Sequence, residues 1–243
     1  MSQTGEIIPF KEPRALAGDL GGSMSELSSW KTILFLSALC AVDATSSPAQ
    51  TFKTLVSFNA TDGSGPQYAS LVQGFDGKLY GTTTENGAYG VGSVFKVTPK
   101  RMLTTLYSFC AQTGCNDGSY PLAGLVLASN GTFYGTTEEG GGSSACNTYG
   151  SGCGTVFKIT AGGTLTTLHS FDGTDGAQPQ APLVQATNGN FYGTTLIGGT
   201  NSCIMGGVNL GCGTVFEITP GGRLTTLHSF DGTDGEFPLA GLV

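Results

Sequence analysis

An all-β array of four-stranded blades, of the β-propeller type, is the fold class that this 243-residue sequence predicts. Three observations predict it. Short β-prone motifs recur in a fixed order, the recurrence has the length of one propeller blade, and the composition suits strands and turns. "YGTT" stands at 80–83, 134–137 and 192–195. "VFKVT" at 94–98 returns as "VFKIT" at 156–160 and "VFEIT" at 215–219. "TLVSF" (54–58), "TLYSF" (105–109) and "TLHSF" (167–171 and 226–230) form a third series, and "LV" at 71, 125, 183 and 242 a fourth. Successive "LV" pairs lie 54, 58 and 59 residues apart. Glycine accounts for 40 residues and charged residues for 11% of the chain, with 39% hydrophobic. That is too apolar and too weakly charged for a disordered chain. Abundant Gly and Thr with little Lys, Glu or Arg favour short strands joined by turns.

The elements follow in chain order. Residues 1–23 are polar and read as a non-structural leader or a misassigned start, with Met24 as the working initiator. Lys31, the apolar run "TILFLSALCAV" (32–42) and the small residues Ser47-Pro48-Ala49 make 24–49 a secretory signal peptide cleaved after Ala49. The run is too short to span a bilayer as a helix. A buried strand or helix of the domain is the competing reading. Cys40 follows Leu39, which is larger than the residue that normally precedes a lipidated cysteine, so lipid attachment is not expected.

Residues 50–243 then form the repeat domain. Each period holds four β-prone segments, which in the third copy are "PLVQA", "NFYGTTL", "GTVFEIT" and "LTTLHSF". "TNG" and "PGG" between them are tight-hairpin signals, because Asn and Gly accept positive φ cheaply. Blades are expected at about 71–109, 125–171 and 183–230, with a lone fourth-type strand at 52–58 and a lone first-type strand at 239–243. A β-solenoid has much shorter coils, and a β-sandwich has no reason to repeat its sequence. Closed propellers have about four to eight blades. Three complete blades therefore predict either a truncated product or self-association that covers the open blade faces.

The consensus "GTVFKIT.GG.LTTLHSFDGTDG..P.AGLV...NG.FYGTT..GG" resembles the GloVer (Gloeo/Verruco) tandem repeat of secreted bacterial proteins, over residues 52–243. The resemblance implies a propeller-like extracellular array, often followed by one of several interchangeable surface anchors. It implies no enzymatic activity. The sequence departs from that pattern in carrying no C-terminal anchor, which puts surface attachment in doubt.

Six cysteines follow the signal: Cys110, Cys115, Cys146, Cys153, Cys203 and Cys212. The link from "YGTT" to "VF" has 10 residues and no cysteine in the first copy, but 18 and 19 residues and one pair in the next two. The link from "SF" to "LV" has 12, 15, 11 and 11 residues, and only the 15-residue one holds a pair. Cysteines occur only where a loop has lengthened, which favours local disulfides 110–115, 146–153 and 203–212 in an oxidising compartment. A metal site competes, but the spacings are not C-x-x-C and neither histidine lies in those loops.

Asp172 and Asp175 in "FDGTDG", with Asp231 and Asp234 one repeat later, are candidate calcium ligands. The equivalent segments "FNATDG" and "FCAQTGCNDG" replace the first aspartate by Asn59 or Cys110. Asp-Gly followed by Pro persists in all four copies (Asp62…Pro66, Asp117…Pro121, Asp175…Pro179, Asp234…Pro238), which is turn chemistry. His169 and His228 share their position with Val56 and Tyr107, as a packing or surface residue would rather than a general base. The Tyr and Thr of "YGTT" suit either a carbohydrate groove or blade packing. No G-x-S-x-G, H-E-x-x-H or phosphate-loop motif is present. "GGG" at 140–142 reads as a flexible loop tip, and no cofactor is predicted beyond the calcium candidate.

Net charge −7, pI about 4.6 and ten scattered basic residues exclude nucleic acid and anionic lipid as partners. The function expected is that of an exported, non-enzymatic scaffold that binds an extracellular ligand, a glycan first, through rim loops 84–93, 138–155 and 196–214. These loops vary while the strands stay fixed. The alternatives are a secreted hydrolase or lyase with its site on the axis, where the inner strands "SLVQG", "GLVLA" and "PLVQA" would have to carry it, or a truncated fragment without function.

Overall fold

The computed structural model describes residues 53–66, 69–146 and 152–243. The leader, the signal segment and its cleavage site lie outside the described residues, as do 147–151 of the second rim loop. Each repeat folds into one antiparallel four-stranded meander in which consecutive strands pair. The first blade is β1 (Val72–Gln73), β2 (Leu79–Thr83), β3 (Ser93–Val97) and β4 (Leu103–Ser108). The middle blade is β5 (Val126–Leu127), β6 (Phe133–Thr137), β7 (Thr155–Ile159) and β8 (Leu165–Ser170). The third is β9 (Val184–Gln185), β10 (Phe191–Thr195), β13 (Thr214–Ile218) and β14 (Leu224–Ser229). Between β10 and β13 it carries a small hairpin of β11 (Ile204–Met205) and β12 (Val208–Asn209).

The same local chemistry builds every blade. "YGTT" pairs with the "VF" strand in one register, so Gly81, Gly135 and Gly193 stand opposite Phe95, Phe157 and Phe216. The phenylalanine ring lies over its glycine: a methyl group on Gly81 would meet Phe95 Cζ at 2.8 Å. A bulge follows Val94, Val156 and Val215 where each third strand meets its fourth. An extra residue re-aims side chains, and in the first two blades both the valine and the following phenylalanine are buried. The turn from third to fourth strand closes with Gly163 N–H and Gly222 N–H on Thr160 O and Thr219 O. Arg101 makes the same turn in the first blade at φ 64°.

Blade packs on blade through aromatic pairs. Tyr80 lies against Phe133 with ring centroids 4.2 Å apart, and Tyr134 stacks on Phe191 at 3.9 Å. Phe109, which follows the outer strand of the first blade, meets Phe157 edge-on, and Phe171 meets Phe216 likewise. The two core clusters are these two inter-blade interfaces. Links between blades are fastened from below: Thr82 Oγ1 donates to Ala123 O at 2.9 Å, and Thr136 and Thr194 reach Ala181 O and Ala240 O.

The ends differ from the expected strands. Residues 53–58 and 239–243 are not in a ladder. No strand among the described residues pairs with either segment. Phe58 nevertheless packs edge-on against Phe95 at 4.8 Å, as Phe109 packs on Phe157.

Candidate functional site

The lengthened rim loops of the middle and third blades face one another across a groove of about 340 Å³. Its walls come from the Cys146 end of one loop, the Asp172–Thr174 turn, and the stretch 197–202 with Asn209 and Leu210 of the other. The structure joins Cys110–Cys115, Cys146–Cys153 and Cys203–Cys212. The last two bonds sit at the base of the groove's two loops and are buried, Cys153 and Cys212 completely. In the third-blade loop Gly198 N–H donates to Leu210 O at 2.8 Å, and Leu210 N–H to Cys203 O at 3.0 Å. Gly199 N–H crosses to Gly173 O at 2.9 Å, tying that loop to the Asp172 turn. Asn201 Nδ2 donates to both Ser229 O and Phe230 O at 3.0 Å. The groove's floor is thus fixed by backbone bonds and a disulfide on each side. Thr200 and Ser202 line it with hydroxyls that have no partner among the described residues.

The aspartate candidates serve their own turns. Asp172 Oδ1 accepts from Thr174 N–H, Thr174 Oγ1 and Asp175 N–H. The threonine hydroxyl bond is the main reason its carboxyl lies below the usual carboxylate range, against a smaller opposing effect of burial. Asp231 repeats the arrangement with Thr233 and Asp234, and Asn59 does so with Thr61 and Asp62. Asp175 accepts from Asp172 N–H and pairs with His169 Nε2 at 2.6 Å; Asp234 does the same with Asp231 and His228. Among the described residues, no three His, Cys, Asp or Glu side chains gather as a metal site.

Two features escaped the sequence. The histidine position supplies a donor to the persistent aspartate: where His becomes Tyr107, its hydroxyl donates to Asp117 at 2.7 Å. Burial and that bond both push the Tyr107 phenol up. The signal available was that Tyr and His, but not Val, can donate. The second feature is Glu138, half-buried beside Gln180, which donates to it at 2.7 Å. Burial raises its carboxyl above the usual range, the Gln180 bond opposes this, and Glu139 adds to it. Of the "YGTT" residues, Tyr80, Tyr134 and both threonines of every copy are buried in packing. The inner strands carry only Val, Leu and Gln, and Gln73 and Gln185 bond to Gly77 O and Gly189 O of their own turns.

Three solved structures show a low similarity to the chain. One assigned as a gluconolactonase is 13% identical with TM-score 0.40, over 68% of this chain and 50% of that one. A protein of Bacteroides uniformis assigned as a 6-phosphogluconolactonase is 19% identical with TM-score 0.36, over 64% and 37%. A family 43 arabinoxylan arabinofuranohydrolase of Bacillus subtilis, solved with cellotetraose, is 16% identical with TM-score 0.39, over 68% and 38%. The chain spans half or less of the length of each. No curated protein matches the sequence. Residues 42–203, two thirds of the chain, match the model of the Gloeobacter/Verrucomicrobia repeat. The chain belongs to the Gloeobacter/Verrucomicrobia repeat family.

Proposed function

We propose that this protein is an exported scaffold that binds a neutral glycan in the groove between the rim loops of its middle and third blades. Three disulfides and membership of the repeat family point to an extracellular protein, since such bonds persist in oxidising compartments. Among the described residues no helix is long and apolar enough to cross a membrane.

The observation that carries the reading is the groove itself. Its about 340 Å³ falls in the range of small-molecule sites, and each of its walls includes a loop lengthened relative to the first blade. Thr174, Thr200, Ser202 and Asn209 offer hydroxyl and amide groups of the kind that exchange hydrogen bonds with sugar hydroxyls, and Asp172 supplies one carboxylate. Net charge −7 disfavours acidic sugars. Backbone bonds and disulfides hold the loops before any ligand arrives, which reduces the ordering cost of binding.

Glycan-array screening of the processed chain, followed by calorimetry on the best hit, tests this. The double change Thr200→Val and Ser202→Ala is expected to weaken binding about 3- to 30-fold, the effect of losing one or two net hydrogen bonds. Replacing 196–214 by the ten-residue loop 84–93 is expected to abolish it. Binding untouched by both changes would overturn the groove as the site.

A further inference from the structure

We propose that the end of the blades opposite the rim groove binds an acidic polysaccharide, with one carboxylate-bearing sugar seated in a recess beside Phe75.

Charge is divided between the two ends of the blades. Leu79 at the start of β2 pairs with Val97 at the end of β3, so the turns 74–78 and 98–102 share one end of the sheet. The same register sets the middle and third blades. Among the described residues of the three blades, every lysine and arginine stands at or beside this end: Lys78, Lys96, Lys100, Arg101, Lys158 and Arg223. The carboxylates of the turns that lead from one blade to the next stand at the other end, with Glu85, Glu138 and Glu139. Asp76 and Glu217 are the carboxylates of the basic end. Asp76 accepts from Lys78 and Tyr80, and Glu217 from Asn190 and Tyr192. Net charge −7 is a sum over both ends and does not describe the field at either.

The cations also run from blade to blade. Lys96 Nζ crosses to Ala161 O at 3.5 Å, and Lys158 Nζ to Pro220 O at 3.4 Å, each reaching a turn of the next blade. Lys100 and Arg101 have no side-chain partner among the described residues. Arg101 holds φ 64°, where its counterparts Gly163 and Gly222 supply the left-handed backbone. The turn's hydrogen bond is the same in all three blades, so the arginine side chain does nothing for the turn itself.

The recess lies between the first and middle blades. It has about 140 Å³, the scale of a single sugar residue, and its walls include Phe75, Asp76, Tyr80, Gly131 and Ala161. Phe75 is 75% exposed. Lys78 Nζ sits 2.8 Å from Asp76, and Lys96 Nζ bonds Ala161 O, so two ammonium groups flank the opening.

The sister copies act as an internal control. The turn "GFDGK" (74–78) is "ASNGT" (128–132) and "ATNGN" (186–190) in the other blades. Asp76 Oδ1 accepts from the Lys78 N–H as Asn130 and Asn188 accept from the N–H two residues on. The turn therefore asks only for that side-chain oxygen and the glycine after it. Phe75 replaces Ser129 and Thr187, and Lys78 replaces Thr132 and Asn190, without a packing role that the other blades require. An exposed ring beside hydrogen-bonding groups suits the apolar face and hydroxyls of a sugar, and the ammonium groups suit its carboxylate. A row of cations that continues onto the next blades suits a polymer with a repeating charge. The recess carries a carboxylate and a phenol, which a lipid surface would have to strip of water.

Calorimetry of the processed chain with polygalacturonate oligomers tests the proposal. Binding is expected, and is expected to be lost at about 1 M salt, where charges are screened within about 3 Å. Fully methyl-esterified oligomers are expected not to bind. Phe75→Ser, which installs the residue of the middle blade, is expected to weaken binding about tenfold, the scale of an aromatic side chain's partial burial. Lys78→Thr with Lys96→Gln is expected to weaken it about 3- to 30-fold at low salt, as loss of two exposed ion contacts does. Replacing the groove loop 196–214 is expected to leave it unchanged, which separates this end from the groove. Circular dichroism establishes that each variant keeps its strands. The proposal is overturned if polygalacturonate does not bind, if its methyl ester binds equally, or if either variant binds as wild type does. It is equally overturned if loop replacement removes binding, or if anionic vesicles or DNA bind as tightly at the same salt.

Discussion

Gly176 and Gly235 close the same twelve-residue motif, "LTTLHSFDGTDG", and both hold φ 131°. Their surroundings differ. A methyl group on Gly176 would lie 2.5 Å from Thr195 Oγ1 and 2.7 Å from Thr214 Oγ1, a hydroxyl pair buried at the rim of the third blade. On Gly235 the nearest atom would be a Phe230 ring carbon at 3.6 Å. Both glycines carry the backbone cost of positive φ, roughly 1–2 kcal/mol for an alanine. Only Gly176 adds overpacking, typically about 1–3 kcal/mol. Gly176→Ala is therefore expected to lower Tm by several degrees more than Gly235→Ala, at about 2–4 °C per kcal/mol for a chain of this size. Thermal unfolding of the two single variants measures the difference, and equal shifts would mean that the next blade does not press on the turn. The motif thus has one local job, shared by both copies, and one tertiary job, performed only where another blade abuts it.

At the scale of elements, the cross-links and the turns they brace are two solutions to one problem. Cys110 stands where Asp172 and Asp231 cap their turns, and the Cys110–Cys115 bond holds a longer segment that lacks that cap. Asp117 still collects Ala111 N–H and Gln112 N–H beside it. The pairing was legible because repeat comparison shows where each loop lengthened. The blades were legible because four motifs keep one order. Less legible was the β11–β12 hairpin, although Gly206-Gly207 between Ile204-Met205 and Val208-Asn209 is a two-residue turn signal. Legible least of all was the groove, since it depends on two loops from different blades meeting. Burial now ranks the disulfides. Cys110 and Cys115 are partly exposed, while the other four cysteines are buried, Cys146 and Cys153 within the core between the middle and third blades. Mild reductant is expected to open 110–115 first, as mass spectrometry with stepwise thiol labelling would show. Cys203→Ser with Cys212→Ser is expected to lower Tm by about 5–10 °C, from about 2–2.5 kcal/mol of lost chain constraint. That pair should also abolish groove binding, whereas Cys110→Ser with Cys115→Ser should leave binding unchanged.

At the scale of the whole repeat domain, the three described blades are each stabilised by the neighbours they have. The middle blade has two. Its strand β6 is buried at every residue and β7 at all but Lys158, with Tyr134 and Phe157 engaged on opposite sides. Among the described residues the first blade has one full interface and the Phe58–Phe95 contact, and the third has one interface. In such arrays stability sums intrinsic and nearest-neighbour terms, so opening should begin at the outer blades and reach the middle one last. Hydrogen exchange is expected to show the greatest protection at the β6–β7 ladder, with β2–β3 and β10–β13 exchanging faster although their hydrogen-bond registers are the same. Tyr134→Ala, which cuts the interface between the middle and third blades, is expected to release protection in β10–β13 before β2–β3. Identical exchange in all three ladders would mean that the domain opens as a single unit. The comparison isolates tertiary context, because the three ladders have nearly the same sequence and differ mainly in how many faces are covered.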